Sequence, residues 1–165
     1  MTKLILITGV SQGLGRIMAE QFIKLGYTVV GCSRNQQEIE KLQQQFGTSH
    51  HFISLDITNE VAIKAWAEVV HSKYDTAVDL LINNAGIVHP LAPLWTIESA
   101  VFDRVIDVNI KGVANIIRHF VPAMVKQSRG VIVNFSAGWG RYTAPNAAPY
   151  FGISTWSFSF RSVHG

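Results

Sequence analysis

Five short apolar runs, each followed by a stretch long enough for a helix or by turn residues, constrain this chain more than any other feature. Leu4 to Ile7, Tyr27 to Cys32, His51 to Leu55, Val78 to Ile82 and Val131 to Phe135 read as strands. The segments between them read as helices. The first carries the stripe Leu14, Ile17, Met18, Phe22, Ile23 and is closed by Gly26. The second, Gln36 to Phe46, is capped by Asn35 and stopped by Gly47. The third opens at Asn59, with Val61, Ala62, Ala65, Trp66, Val69 and Val70 expected on its inner face. The last opens at Thr96, breaks near Asn109 and reaches Gln127. Strands joined through helices run parallel, because each crossover returns the chain to the same end of the sheet. The expected fold is therefore α/β, a doubly wound parallel sheet of strand order 3-2-1-4-5. Such sheets bind ligands beyond the carboxyl ends of their strands, near the switch between strands one and four.

The polar and glycine residues lie at those ends. Gly9, Gly13 and Gly15 sit between the first strand and the first helix. Glycine there supplies positive φ values and lets a ligand approach the backbone, while the helix start aims N–H groups at one point, as a pyrophosphate requires. Ser33-Arg34 follows the second strand, Asp56-Ile57 the third and Asn83-Asn84-Ala85-Gly86 the fourth.

Other function classes find less support. At 165 residues, 48% hydrophobic and 15% charged, the chain is one domain long and able to bury a core. The net charge of +3 and pI of about 9.2 invite a nucleic-acid partner. The Lys and Arg residues are scattered singly, however, so none is expected. Lys3 is followed by only four apolar residues before the glycine turn, and no run approaches a membrane span. A soluble, cytoplasmic protein is expected. The lone Cys32, inside an apolar run, reads as a core residue in a reducing compartment. The six histidines show no ligand spacing and read as surface or loop residues, so no metal is expected. Asp103 and Asp107, with Arg104 between them, read as a solvated helix face. Trp66 belongs to the core, and Trp139 either shapes a substrate site or simply packs.

In this order the motifs resemble those of the short-chain dehydrogenase/reductase family, whose fold is Rossmann-type. Thr8 to Gly15 (TGVSQGLG) matches its glycine pattern, Asp56-Ile57 its adenine-contacting pair, and Asn83 to Gly86 its NNAG signature. Asn109 and Tyr150 match its catalytic asparagine and tyrosine. The resemblance implies hydride transfer between a nicotinamide cofactor and a small alcohol or carbonyl substrate. It implies cofactor contacts at Gly9, Ser11, Gln12, Gly13, Leu14, Gly15, Ser33, Arg34, Asp56, Ile57, Asn83, Ala85 and Gly86. Where NAD enzymes of the family carry an acid at the end of strand two, this chain has Cys32-Ser33-Arg34. A guanidinium forks onto a 2′-phosphate, so NADP(H) is favoured over NAD(H).

Three departures qualify the resemblance. The family's lysine, four residues after the tyrosine, is Ser154 here. Lowering a tyrosine from its usual pKa of about 10 to neutrality corresponds to about 4 kcal/mol, which an uncharged hydroxyl does not supply. The family's serine, thirteen residues before the tyrosine, falls on Ala137, with Ser136 beside it as a substitute donor. Turnover is accordingly expected at least about a thousandfold below an intact relative. From Phe151 onward Trp156, Phe158 and Phe160 alternate with serines where a helix belongs. Residues 151–165 therefore read as an atypical tail, from a changed reading frame or a truncated product, after a nucleotide-binding domain over 1–150. The fold would then lack the last strands of the family, leaving strand five as an edge for a partner to cover, a second copy of the chain among them. The alternative to an active oxidoreductase is a catalytically silent nucleotide-binding remnant or a regulatory product.

Overall fold

The fold, described by a computed structural model over residues 2–89 and 91–135, places five strands in one sheet: β1 (Leu4–Thr8), β2 (Thr28–Ser33), β3 (His51–Ser54), β4 (Leu80–Asn83) and β5 (Val131–Asn134). Every pairing is parallel and the order is β3-β2-β1-β4-β5. This is the expected Rossmann-type arrangement. The stretch 136–165, with Ser136, Trp139, Tyr150 and Ser154, lies outside the described residues.

Helices cover both faces: α1 (Gly13–Lys24), α2 (Gln36–Phe46), α3 (Glu60–Tyr74), α4 (Ser99–Ile106) and α5 (Val113–Lys126). Alternate residues of β1 feed opposite cores, as the pleat requires. Leu4 and Leu6 pack with Ile63, Trp66 and Val70 of α3 and Ile116, Phe120 and Met124 of α5. Ile5 and Ile7 pack with Ala19, Ile39 and Leu42 of α1 and α2. Trp66 and Phe120 meet edge to face, with ring centroids 5.1 Å apart. Asn35 and Asn59 cap their helices by accepting from Glu38 N–H and Ala62 N–H at 3.2 and 3.0 Å.

Two inner faces differ from the expected ones. On α3 the buried residues are Ile63, Trp66, Ala67 and Val70, whereas Val61 and Val69 are exposed. On α1 Leu14 and Ile17 are exposed and the closest packing is made by Gly15 and Ala19. On α1 small residues set the face that touches the sheet, because they let the backbones approach. The expected break near Asn109 is instead a wide turn: Asp107–Gly112 forms a π-helical segment that joins α4 to α5 without interrupting the run. His50 is no surface residue. It is buried, and its Nδ1 accepts from Val29 N–H at 3.1 Å, serving a β2 donor just before β3 begins.

Candidate functional site

The turn after β1 is built from backbone conformations only glycine adopts freely. Gly9 and Gly13 have φ of 77° and 57°. Gly15 lies in the first turn of α1, and a Cβ there would come within 2.2 Å of the Gly9 carbonyl oxygen and 2.4 Å of Asn84 Nδ2. The start of α1 therefore lies directly on the turn. Gln12, the residue before α1, makes no side-chain cap, so the first N–H groups of the helix face the space above the turn.

That turn is tied to the end of β4. Thr8 Oγ1 accepts from Asn84 N–H and Ala85 N–H at 3.1 and 2.9 Å. Asn84 Nδ2 donates back to the Thr8 and Gly9 carbonyls at 2.9 and 3.2 Å. The buried Asn83 faces the other way, donating to Asn134 Oδ1 of β5 at 2.8 Å. Thr8 and Asn84, which lie in the quoted motifs but not among the expected cofactor contacts, are thus the residues that join the two ends of the site. The signal was available in the two adjacent asparagines, which must point to opposite sides of a strand end.

One cleft of about 290 Å³ runs across these ends. Gly9, Ser11, Gln12, Gly13, Leu14 and Gly15 form its centre; Ser33 and Arg34 one rim; Asp56 and Ile57 the far end; Asn84, Ala85, Gly86 and Ile87 the near end. Ser33 Oγ donates to Ser11 Oγ at 2.7 Å, which joins the rim to the glycine turn. Arg34 is exposed, and among the described residues no carboxylate pairs with it. Cys32 beneath it is fully buried, and burial pushes its thiol up to about 12, which removes it as a nucleophile.

The helical run from α4 to α5 braces the cleft from below. Asn109 grips Ile87 at both ends, accepting from its N–H at 2.8 Å and donating Nδ2 to its carbonyl at 2.7 Å. Gly112 packs against Ile57, leaving only 2.6 Å between a Cβ there and Ile57 Cγ1. Asn115 Nδ2 donates to the Ile57 carbonyl at 3.2 Å. Arg104 does not complete a solvated acidic face as the sequence implied. Its Nη2 reaches Asp56 Oδ2 at 2.8 Å, while Asp107 pairs with Lys111. Partial burial alone would raise the Asp56 pKa, but the hydrogen bonds from Arg104 and Thr58 outweigh it and hold the carboxyl at about 2.

A larger hollow, about 820 Å³, lies at the opposite end of the strands. Two of its charged side chains are engaged in the fold: Asp79 Oδ2 accepts from Leu4 N–H at 2.8 Å, and Oδ1 pairs with Arg129 Nε at 3.4 Å. Among the described residues no His, Cys, Asp and Glu group could hold a metal ion, and no helix is long and apolar enough to cross a membrane.

Comparison with known proteins agrees with this architecture. The chain is 40% identical over 150 residues to an NADPH-dependent pterin aldehyde reductase of Arabidopsis thaliana, covering 90% of this chain and 62% of that protein. It is 36% identical over 153 residues to a serine 3-dehydrogenase of Agrobacterium fabrum, covering 92% and 58%. The chain thus spans about three fifths of the length of these curated relatives. Among solved structures, a 3-ketoacyl-(acyl-carrier-protein) reductase from Brucella melitensis complexed with NADH superposes with a TM-score of 0.86 at 34% identity, over 95% of this chain and 66% of that one. The short chain dehydrogenase family profile matches residues 3–152, and the chain belongs to that family.

Proposed function

We propose that this chain binds NADP(H) across the cleft and serves an oxidoreductase that moves a hydride between that cofactor and a small alcohol or carbonyl substrate. The observation that carries the reading is the composition of the cleft from end to end. A glycine turn and an uncapped helix start suit a pyrophosphate, with Gly9, Ser11, Gln12, Gly13, Leu14 and Gly15 around it. Ser33 and Arg34 suit a phosphorylated ribose. Asp56 and Ile57 suit the adenine, and Ala85 and Gly86, backed by Asn83, the nicotinamide side.

The nicotinamide supplies or accepts the hydride when bound; the chain's part is orientation and proton handling. Asn109 fixes the backbone of Ile87 beside Gly86 and so would shape the end of the cleft that holds the nicotinamide. The Tyr150 hydroxyl is the proposed proton donor and acceptor at the substrate oxygen, and Ser136 the proposed hydrogen-bond donor to it; both lie outside the described residues. The plant relative is NADPH-dependent by name, whereas the Brucella reductase was solved with NADH. Family membership therefore leaves the cofactor open, and the exposed Arg34 at the cleft rim is what favours NADP(H) here.

The test is equilibrium titration with NADPH and NADH, followed by nicotinamide fluorescence. NADPH is expected to bind at least about tenfold tighter, since a charge-assisted contact to phosphate contributes that much. Arg34→Ala is expected to remove the preference. Coincident curves for the two cofactors in the unmutated protein would refute the assignment.

A further inference from the structure

The cleft offers its hydrogen-bonding groups unevenly. At the glycine turn, the first backbone bond of α1 runs from Arg16 N–H to the Gln12 carbonyl. The N–H groups of Gly13, Leu14 and Gly15 therefore have no partner among the described residues. Ser33 Oγ donates to Ser11 Oγ, which leaves Ser11 its own proton to give. The exposed Arg34 guanidinium pairs with no carboxylate among the described residues. This half of the cleft is a set of unspent donors around one free cation.

The near end has spent its groups on the fold. The N–H groups of Asn84 and Ala85 go to Thr8, and that of Ile87 goes to Asn109. From Asn84 to Ile87, Gly86 N–H alone is left among the described residues. Asn84 Nδ2 is committed to the Thr8 and Gly9 carbonyls, and the Ile87 carbonyl already accepts from Asn109. None of the residues from Asn84 to Ile87 that line this end is ionisable. The lysine that the family resemblance implies for the nicotinamide ribose is Ser154 in this chain.

The two halves of a dinucleotide are then held unequally. A 2′-phospho-ADP head brings the phosphates that unspent N–H groups and a guanidinium take up through charge-assisted bonds. A nicotinamide riboside brings two hydroxyls and a carboxamide, and meets one backbone donor. Its ring carries a positive charge only when oxidised, and no charge among the residues from Asn84 to Ile87 senses the difference.

We infer that the cleft is a site for the 2′-phospho-ADP head group: it takes that head alone nearly as tightly as the whole dinucleotide, and it does not distinguish the oxidised cofactor from the reduced one. This rests on the reading of the cleft as a dinucleotide site and narrows what that site grips.

The experiment is calorimetric titration of the full chain with adenosine 2′,5′-bisphosphate, NADPH, NADP⁺ and reduced nicotinamide mononucleotide. The first three are expected to bind within about threefold of one another, a gap smaller than a typical hydrogen bond produces. The mononucleotide is expected to give no binding heat. Arg34→Ala, a change at an exposed residue, is expected to weaken the bisphosphate and NADPH by the same factor, about tenfold. A larger gap in favour of NADPH over the bisphosphate overturns the inference and leaves the dinucleotide reading standing. So does a larger gap between NADP⁺ and NADPH, or measurable binding of the mononucleotide. A loss in Arg34→Ala that falls on the bisphosphate and spares NADPH also overturns it, since NADPH would then have a second anchor. Absence of binding by all four ligands overturns the dinucleotide reading itself, and the inference with it.

Discussion

The loop that follows β1 and the loops that follow β3 and β4 meet at one cleft but are held by different means. The β1 turn is shaped by its own residues, Gly9 and Gly13 with positive φ and Gly15 under the helix start. The loops beyond β3 and β4 have little conformational compulsion of their own. Beyond the bonds that tie Asn84 and Ala85 to Thr8 and Gly9, they are held from 22 to 58 residues away, by Asn109 on Ile87, Arg104 on Asp56 and Asn115 on Ile57. One side of the site is encoded in a local backbone and the other in the spacing of polar side chains along a single helical run. The first kind of restraint fails sterically when changed, the second by leaving polar groups unpaired.

The sharpest way to break this contrast lies inside the glycine turn. At Gly15 an added methyl meets backbone and a fixed amide at 2.2 and 2.4 Å, so α1 must lift from the turn. Gly15→Ala is expected to cost about 3 kcal/mol and to abolish cofactor binding. At Gly13 nothing lies within 4 Å of a Cβ, and only the φ of 57° opposes a side chain. Gly13→Ala is expected to cost about 1 kcal/mol and to weaken binding without abolishing it. Urea unfolding of both variants, with NADPH titration alongside, checks the difference; equal losses would mean that conformation, not packing, governs the turn.

The same contrast explains what was legible in the sequence. The sheet order and the glycine turn are written in local pattern: apolar runs, caps at Asn35 and Asn59, glycines in fixed places. The helix faces were less legible, because Val61 and Val69 on α3 are as apolar as the buried Ile63 and Val70, and only the packed neighbour decides between them. The braces were not legible. Nothing in FDRVIDVN tells a solvated arginine from one that turns back to an aspartate on another loop, so Arg104 reads as part of an acidic face until Asp56 is brought to it. His50 escaped for the same reason: its partner, Val29 N–H, is a backbone donor whose vacancy depends on where β3 begins.

Asn109 tests the second kind of restraint. Asn109→Ala removes both bonds to Ile87 and leaves its N–H and carbonyl unpaired in a half-buried place. A loss of about 2 kcal/mol is expected. Amide exchange at Ile87 should accelerate while exchange in β1 stays slow, since the glycine turn does not depend on this brace. Simultaneous acceleration of both would show that the two sides of the cleft are one cooperative unit.

The smallest expected effect is the pH dependence of the side-chain ties at the opposite end of the sheet. Burial lowers the pKa of His50, His51 and His71, and for His50 and His51 the nearby Lys73 lowers it further. Lys73 Nζ donates to the His50 and Thr48 carbonyls, so its charge stays close. Each imidazole is therefore easier to protonate in the unfolded chain than in the folded one. The unfolded state binds the extra protons first, as pH falls below the ordinary histidine value of about 6.5, and stability declines from there until the folded-state groups also titrate. Asp56 acts in a lower window, where its stabilising interaction is lost as pH falls from the ordinary carboxyl range towards about 2. His50→Asn keeps an acceptor for Val29 N–H and removes one titrating group. The urea midpoint of the unmutated protein should fall between pH 7 and pH 5, and that of His50→Asn should fall less. Parallel declines would assign the acid sensitivity to His51 and His71, and leave His50 as a hydrogen-bond acceptor whose protonation the fold does not feel.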